Sequence, residues 1–164
     1  MTRSLPALPA RPLTAEGFAP FGSVVESSAE GRWINDGNSL RSEAGPLSLD
    51  QAAGRAVLAV FRARARDARG PWRELERHRL GTQTFLPMGE ARCVLLVALG
   101  EDAPDPATLA AFVSRPGQGW TLTAGTWHHA LIVLDDADVA VLERGAEAVD
   151  CELAQLPLPV EITL

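Results

Sequence analysis

The sequence ERHRLGTQTFLP, residues 76–87, contains the most informative spacing of polar side chains in this chain. Glu76 and His78 are two residues apart, so in an extended strand their side chains point to the same side. A turn at Leu80-Gly81, followed by a second strand, brings Gln83 back to that side. The stretch therefore predicts three coordinating side chains that converge in one cleft.

The chain contains three histidines, and all of them lie in two short stretches. His78 belongs to the first stretch, and His128 and His129 end the second, GTWHH, residues 125–129. Imidazole takes up and releases protons near neutral pH and is a common metal ligand. We therefore expect any imidazole chemistry to occur where these two stretches meet.

Length and composition indicate one domain, residues 1–164, with 46% hydrophobic and 22% charged residues. A net charge of −6 argues against a nucleic-acid partner. No apolar stretch reaches the ~20 residues that a membrane span needs. Cys93 and Cys151 form neither a close pair nor a metal-type spacing. A reducing, cytoplasmic location is the simplest interpretation.

Short strands, separated by turns about every 8–12 residues, predict an all-β sandwich or barrel with one or two short helical turns. The apolar run at residues 55–64 is interpreted as a buried strand, and residues 92–99 as the most apolar strand. Residues 1–12 are expected to be an extended lead-in. Residues 145–164 are expected to form a C-terminal edge strand or wrap.

Several motifs, in the right order and spacing, resemble the ureidoglycolate lyase family, once called ureidoglycolate hydrolase. The likeness runs from about Leu13 to about Arg144. It rests on the segments ELERHRLGTQTFLPM at residues 74–88, VALG at residues 97–100 with Pro104-Asp105, WHH at residues 127–129, and INDG at residues 34–37 with Arg41.

This resemblance implies a cupin fold, a double-stranded β-barrel of jelly-roll type. Glu76, His78 and Gln83 match the first cupin motif in spacing, and Gly125-x-x-His128 matches the second. The resemblance also implies a homodimer and a small-molecule substrate. The expected activity is that of a carbon–nitrogen lyase of the amidine-lyase type, which releases urea and glyoxylate from ureidoglycolate in allantoin and purine catabolism.

The same likeness supplies candidate catalytic residues and metal ligands. The catalytic candidates are His78, His128, Glu76 and His129, and the candidate metal ligands are Glu76, His78, Gln83 and His128. A divalent metal such as nickel, manganese or zinc is one interpretation, with no organic cofactor. An amide in place of the usual carboxylate weakens such a site, so direct catalysis stays open. In a regular strand His129 points away from His128 unless a bulge turns it.

Six residues are candidates for substrate binding, each with a structural alternative. Gln83 is expected to hold the urea group or to be a satisfied buried amide. Trp127 is a stacking or a core residue, and Asn35 binds substrate or forms a turn. Three arginines are candidate carboxylate clamps or surface charges: Arg77, Arg62 and Arg92. Strict alternation places Arg77 on the face opposite Glu76 and His78.

The chain departs from the family pattern at two places. Arg79 stands where the family usually has proline, and Leu122-Thr123 replaces a Tyr-His pair that precedes Trp-His-His. The sequence has no tyrosine at all. Two alternative functions therefore remain: a metal-dependent cupin lyase or isomerase for another small hydroxy acid, or a non-catalytic cupin that binds a small acid.

Overall fold

The computed structural model describes residues 5–164 and is built almost entirely of β-strands. The strands are β1 Ala7–Pro12, β2 Gly22–Val25, β3 Arg32–Ile34, β4 Ser39–Arg41, β5 Arg55–Ala63, β6 Trp72–Arg77, β7 Gln83–Met88, β8 Cys93–Ala98, β9 Ala110–Val113, β10 Gly119–Leu122, β11 Trp127–His128, β12 Ile132–Val133, β13 Ala137–Gly145 and β14 Glu152–Thr163. Helix α1 covers Ala15–Phe18, and single 3-10 turns cover Gln51–Ala53 and Pro106–Thr108. Within these residues no helix has the length and apolarity to cross a bilayer. The predicted all-β class with short helical turns is confirmed.

Six of the strands form a closed barrel. In the order β11, β6, β14, β1, β9 and β8 each strand pairs with the next, and β11 also pairs with β8. The ring is mixed, because β1 runs parallel to both of its neighbours while the other pairs are antiparallel. β12 adds to β8 outside the ring. This closed barrel confirms the predicted cupin-type fold.

A five-stranded antiparallel sheet, in the order β2-β10-β7-β13-β5, faces the barrel and creates a second core. The inter-sheet core includes Phe85, Phe112 and Trp120, whereas the barrel interior includes Leu75 and Trp127. The candidate site described below lies where the barrel wall meets this second sheet.

Strand β8 contributes to both cores, which explains why it is the most apolar strand. Its side chains alternate, as those of any strand do. Cys93, Leu95 and Val97 enter the inter-sheet core, and Val94, Leu96 and Ala98 enter the barrel interior. All six residues are therefore buried, and no position in the strand faces water.

The prediction that residues 55–64 form a buried strand is wrong about burial. β5 pairs only with β13, so it lies at an edge of the five-stranded sheet. Leu58 and Val60 are 69% and 60% exposed. An apolar run shows that a segment favours a strand, but its length and composition do not reveal how many of its faces another layer covers.

Each predicted terminal segment contributes a strand to the barrel, and residues 1–4 of the expected lead-in lie outside the described residues. β1 lies within the expected lead-in and pairs with β14 and β9. β14 lies between β6 and β1 instead of at an edge. Its pairing with β6 shifts register between Gln155 and Val160, a segment that contains two prolines, which cannot donate to the strand ladder. The expectation of one domain over residues 1–164 stays a prediction.

Candidate active site

Two neighbouring barrel strands place Glu76 and His128 side by side. Glu76 on β6 is the direct cross-strand partner of His128 on β11. Leu75 and Trp127, each one position earlier, point into the barrel interior. Alternation along the strands therefore turns Glu76 and His128 outward, toward the second sheet. His78 follows the end of β6 and lies two residues beyond Glu76, as the sequence predicted.

Glu76, His78 and His128 form one compact cluster, called the triad below. One potential ligand atom from each residue lies within 4.8 Å of the others. The rings of His78 and His128 are 5.4 Å apart at their centroids. Glu76 Oε1 is 3.5 Å from His128 Nε2, and His128 is only 4% exposed. The structure thus brings together three of the four residues that the sequence proposed as metal ligands.

Backbone carbonyls determine which nitrogen of each histidine carries a proton. His78 Nδ1 lies 2.6 Å from the Asp150 carbonyl, and His128 Nδ1 lies 3.0 Å from the Thr126 carbonyl. A carbonyl only accepts, so both Nδ1 atoms must donate. In the neutral imidazoles both Nε2 atoms then present lone pairs.

The buried polar side-chain atoms that lack a hydrogen-bond partner all belong to this site. Within residues 5–164 they are His78 Nε2, His128 Nε2 and Gln83 Oε1. Native proteins pair nearly all buried polar atoms, so unpaired ones require an explanation. Their concentration at one place indicates a site prepared for a ligand.

The His128 side chain lowers the pKa of Glu76 through its polar contact, while burial of the carboxylate opposes this effect. Glu76 is therefore an anion at neutral pH. A lone pair on His128 Nε2 at 3.5 Å from that anion is repelled by it. A proton or a cation between the two groups would remove this repulsion.

The triad fits a divalent metal. Two imidazole nitrogens and one carboxylate are the ligands of many catalytic metal sites. In such sites the second ring nitrogen usually donates to a carbonyl or carboxylate, as both Nδ1 atoms do here. Glu76, His78 and His128 are thus a possible metal-binding triad, and the assignment of Gln83 as a fourth ligand stays a prediction.

His78 also lines a cavity of about 220 Å³ between the barrel and the second sheet. The opposite wall consists of Gln83 on β7 and Glu143 on β13, which are cross-strand partners. Gln83 Nε2 donates to Glu143 Oε2 at 2.8 Å. The cavity therefore connects the triad, through His78, with the predicted urea-binding residue Gln83.

A family model described as ureidoglycolate lyase matches residues 5–163 of this chain. The chain belongs to the ureidoglycolate lyase family. A protein named ureidoglycolate lyase from Pseudomonas putida (strain W619) is 34% identical over 144 residues, which cover 86% of each chain. A protein of the same name from Azotobacter vinelandii is 34% identical over 86% of this chain and 87% of its own. The predicted family membership is therefore confirmed.

The loop that completes the 220 Å³ cavity was not predicted from the sequence. Arg144, residues 145–146 and residues 148–151 line it together with Glu143. The Asp150 carboxylate accepts hydrogen bonds from the amides of Arg79 and Leu80 at 3.0 and 2.7 Å, which ties this loop to the turn after His78. No local motif marks these residues, because pairing of distant strands brings them to the cavity.

His129 lies outside the triad. It follows β11, its backbone amide donates to the Leu96 carbonyl, and its ring packs on Trp72 at 4.4 Å between centroids. Burial lowers the pKa of His129. The strand alternation that turns His128 toward the second sheet thus leaves His129 on a different side. Its catalytic assignment stays a prediction, and these contacts support a structural role.

Arg77 and Trp127 form a buried pair on the opposite face of the barrel wall. The Arg77 guanidinium lies 4.2 Å above the Trp127 ring. It donates to Glu152 Oε2 at 2.9 and 2.7 Å and to the Gly100 carbonyl at 3.1 Å. Neither side chain lines the 220 Å³ cavity. These contacts support the structural alternative for both residues.

The remaining candidates for substrate binding do not line that cavity either. Arg62 is on the exposed strand β5, 3.5 Å from Asp138, and Arg92 is exposed in the turn before β8. Asn35 has a positive φ of 54° in the β3–β4 turn and donates to Ser39. The turn interpretation of Asn35 is confirmed.

Leu122 and Thr123 occupy the positions of the Tyr-His pair that the family likeness led us to expect. Leu122 is buried in the inter-sheet core and shares a small cavity of about 20 Å³ with His128. Thr123 is exposed, and its amide donates to the Phe21 carbonyl. An apolar side chain is therefore present beside His128 at a position where the resemblance led us to expect a polar residue.

Proposed function

We propose that this protein is a ureidoglycolate lyase, of the amidine-lyase type, that releases glyoxylate and urea. The observation that carries this proposal is the set of three unpartnered polar atoms, two imidazole nitrogens and one amide oxygen, around one site. The family membership and the name shared by the relatives support the same activity. We place the reaction in the recovery of nitrogen from allantoin and purines.

The reaction needs a base and an acid. Ureidoglycolate carries a hydroxyl group and a urea nitrogen on one carbon, beside a carboxylate. Removing the hydroxyl proton lets the oxygen form a carbonyl while the C–N bond breaks. The electron pair of that bond leaves with the nitrogen, which must take up a proton. Imidazole performs both tasks near neutral pH.

His78 is the proposed base, because its Nε2 lone pair belongs to a side chain that lines the cavity. His128 is the proposed acid. The Glu76 carboxylate lies 3.5 Å from His128 Nε2, the atom that would deliver the proton to the departing urea nitrogen. The roles require both rings to face one substrate, as their 5.4 Å separation permits.

The same residues support a metal-assisted form of the reaction. Glu76, His78 and His128 would hold a divalent ion such as nickel, manganese or zinc. When bound, that ion supplies a Lewis acid that makes the substrate hydroxyl easier to ionise. Chelation followed by addition of each metal separates the two forms, because direct catalysis survives chelation.

Arg144 is the proposed partner of the substrate carboxylate. Arg144 lines the cavity, and its Nε and Nη2 donate to the carbonyls of Gln51 and Ala52 at 2.6 and 2.9 Å. A guanidinium that is held in place and belongs to a residue of the cavity lining is suited to binding a carboxylate. Arg144 thus takes the role that the sequence suggested for three other arginines.

We also propose a homodimer, formed through the outer face of the five-stranded sheet. Leu58, Val60 and Met88 are 69%, 60% and 60% exposed there. The solvent face of an antiparallel sheet is normally polar, so this apolar patch indicates a partner. Arg62 and Asp138 at its margin supply both signs of charge, which a two-fold axis would place in complementary contact.

Replacing Leu58 and Val60 together by aspartate tests the dimer. Light scattering should give twice the 17.5 kDa chain mass for the wild type and the chain mass for the variant. Leu158→Asp is the matched control, because Leu158 is 55% exposed on another strand, β14. A monomeric wild-type protein contradicts this part of the proposal.

A cytoplasmic location is also a proposal. It rests on Cys93 and Cys151, which are both free thiols in the structure. Free thiols are stable in a reducing compartment.

The activity is tested by incubating the purified protein with racemic ureidoglycolate and measuring glyoxylate and urea separately. We expect the two products in equal amounts. Glu76→Gln should slow release by about 10²-fold or more, because it removes the carboxylate charge beside the proposed acid His128. Glu74→Gln is the matched control, since Glu74 is exposed on the same strand and bonds Gln155.

No glyoxylate release from either enantiomer, with or without added divalent metal, contradicts the proposed lyase. Turnover of another small hydroxy acid would then favour the alternative lyase or isomerase. Binding of such an acid without turnover would favour the non-catalytic cupin.

A further inference from the structure

Glu143, which the sequence analysis did not identify, directly contacts the predicted urea-binding residue. It lies on β13 opposite Gln83 on β7, and both side chains line the cavity. Glu143 is partly buried, and Gln83 is only 6% exposed. Their hydrogen bond joins Gln83 Nε2 to Glu143 Oε2 at 2.8 Å.

This contact fixes the orientation of the Gln83 amide. A carboxylate only accepts hydrogen bonds, so the amide NH2 must face Glu143 and the amide oxygen must face the other way. Gln83 Oε1 is buried and has no partner within residues 5–164. A buried acceptor without a donor is unfavourable until a ligand supplies one.

The ligand that fits this wall carries hydrogen-bond donors. A ureido group ends in an NH2, whereas the corresponding acetamido group ends in a methyl of similar size. The anionic Glu143 beside Gln83 also repels the carboxylate of a substrate. The substrate must then bind with its ureido end at the β7–β13 wall and its carboxylate elsewhere.

We propose that Glu143 is a positioning residue that directs Gln83 Oε1 to the terminal NH2 of the ureido group and so makes the site selective for ureido over acetamido substrates. This inference rests on the proposed lyase activity and adds the residue that sets its specificity. The selectivity follows because an acetamido substrate leaves Gln83 Oε1 buried and unpaired.

The test compares two substrates, ureidoglycolate and N-acetyl-α-hydroxyglycine. Both release glyoxylate, one with urea and the other with acetamide, so a single glyoxylate assay reports kcat/KM for each. The wild type should prefer the ureido substrate by at least about 10-fold. Glu143→Gln leaves the amide free to flip, so the preference should fall toward 1. Glu143→Asp, which keeps an acceptor, should restore part of it.

Two further variants keep the test decisive. Gln83→Met keeps the size of the side chain but removes the acceptor, so it should abolish the preference even if Glu143→Gln does not fold. Glu147→Gln is the matched control, because Glu147 is an exposed carboxylate in the nearby loop and does not line the 220 Å³ cavity.

The outcomes separate this inference from the lyase proposal. A wild-type protein that releases glyoxylate from neither substrate overturns both. A wild-type protein that turns over ureidoglycolate without preferring it overturns only the role of Glu143 and Gln83. That role is also overturned if the folded variants Glu143→Gln and Gln83→Met lose activity equally toward both substrates and keep the wild-type ratio of kcat/KM.

Discussion

The two walls of the candidate site present different kinds of chemistry. The barrel wall presents the triad of Glu76, His78 and His128, whose groups exchange protons or hold a cation. The second sheet presents Gln83 and Glu143, whose hydrogen bond fixes the direction of an acceptor. We infer that the barrel wall carries out the reaction and that the second sheet selects the substrate.

The difference follows from how each wall is built. On the barrel side, backbone carbonyls hold each imidazole by Nδ1 and leave Nε2 without a partner. On the sheet side, a carboxylate holds an amide by its NH2 and leaves the oxygen without a partner. In both cases one polar end is anchored so that the other is directed into the site.

The largest effect is expected from the barrel wall. His78→Ala and His128→Ala should each lower kcat for glyoxylate release by about 10²- to 10⁴-fold, the usual contribution of a general acid or base. Thermal unfolding of each variant checks that the fold remains. Near-normal kcat in both folded variants would remove the histidines from the proposed mechanism.

Replacing Gln83 by alanine tests the second wall and should have a smaller effect. Loss of one hydrogen bond to substrate corresponds to about 1–3 kcal/mol, or a decrease in kcat/KM of about 5- to 150-fold. The change should lie mainly in KM, measured with ureidoglycolate. A loss of kcat as large as that of the histidine variants would contradict the separation of a reacting wall from a substrate-selecting wall.

The ion pair of Arg77 with Glu152 lies on the face of β6 opposite the triad. It predicts an effect of pH on the free energy of unfolding. Arg79 and Arg77 hold the pKa of Glu152 below its ordinary value of 4.5. The contacts of Glu152 with Arg79 and Arg77 therefore contribute fully to the free energy of unfolding above pH 4.5. This contribution is lost as the pH falls through the lower, folded-state pKa of Glu152. Denaturant unfolding at several pH values should show this loss in the wild type.

Glu152→Gln should flatten that acid-side decrease, because the titrating group is gone. Glu161→Gln is the control, since Glu161 pairs with the exposed Arg69 and not with a buried arginine. An unchanged pH dependence in Glu152→Gln would mean that the contact with Arg77 does not govern acid stability.

His129 should give the smallest effect on catalysis, although it adjoins His128. Its ring packs on Trp72, outside the triad. His129→Gln should keep kcat within about threefold of the wild-type value, measured in the glyoxylate assay. A loss comparable with that of His128→Ala would place His129 in the reaction after all.

Local spacing predicted that Glu76 and His78 lie on the same side of a strand, and the structure places them in one cluster. The two-residue spacing of Glu76 and His78 has a direct meaning in a strand, and the family likeness added His128. Gln83 was found in the same way, since it begins the strand after the turn. The same alternation correctly placed Arg77 on the face of the strand opposite Glu76 and His78.

The rest of the second wall could not be predicted, because it depends on long-range register. Glu143 meets Gln83 only through the β7–β13 pairing, and Asp150 reaches His78 across 72 positions of sequence. Strands β5 and β8 show that burial within the fold also depends on long-range pairing. Both are apolar runs, yet β8 lies between two cores and β5 lies at an edge.

The most direct test of the central claim is a double variant, His78→Ala with His128→Ala, compared with each single variant by kcat for glyoxylate release. If the two imidazoles act together on one substrate, removing the second should cost little once the first is gone, and the double variant should be about as slow as the slower single variant. Losses that multiply, as for independent sites, would contradict a shared centre built from β6 and β11.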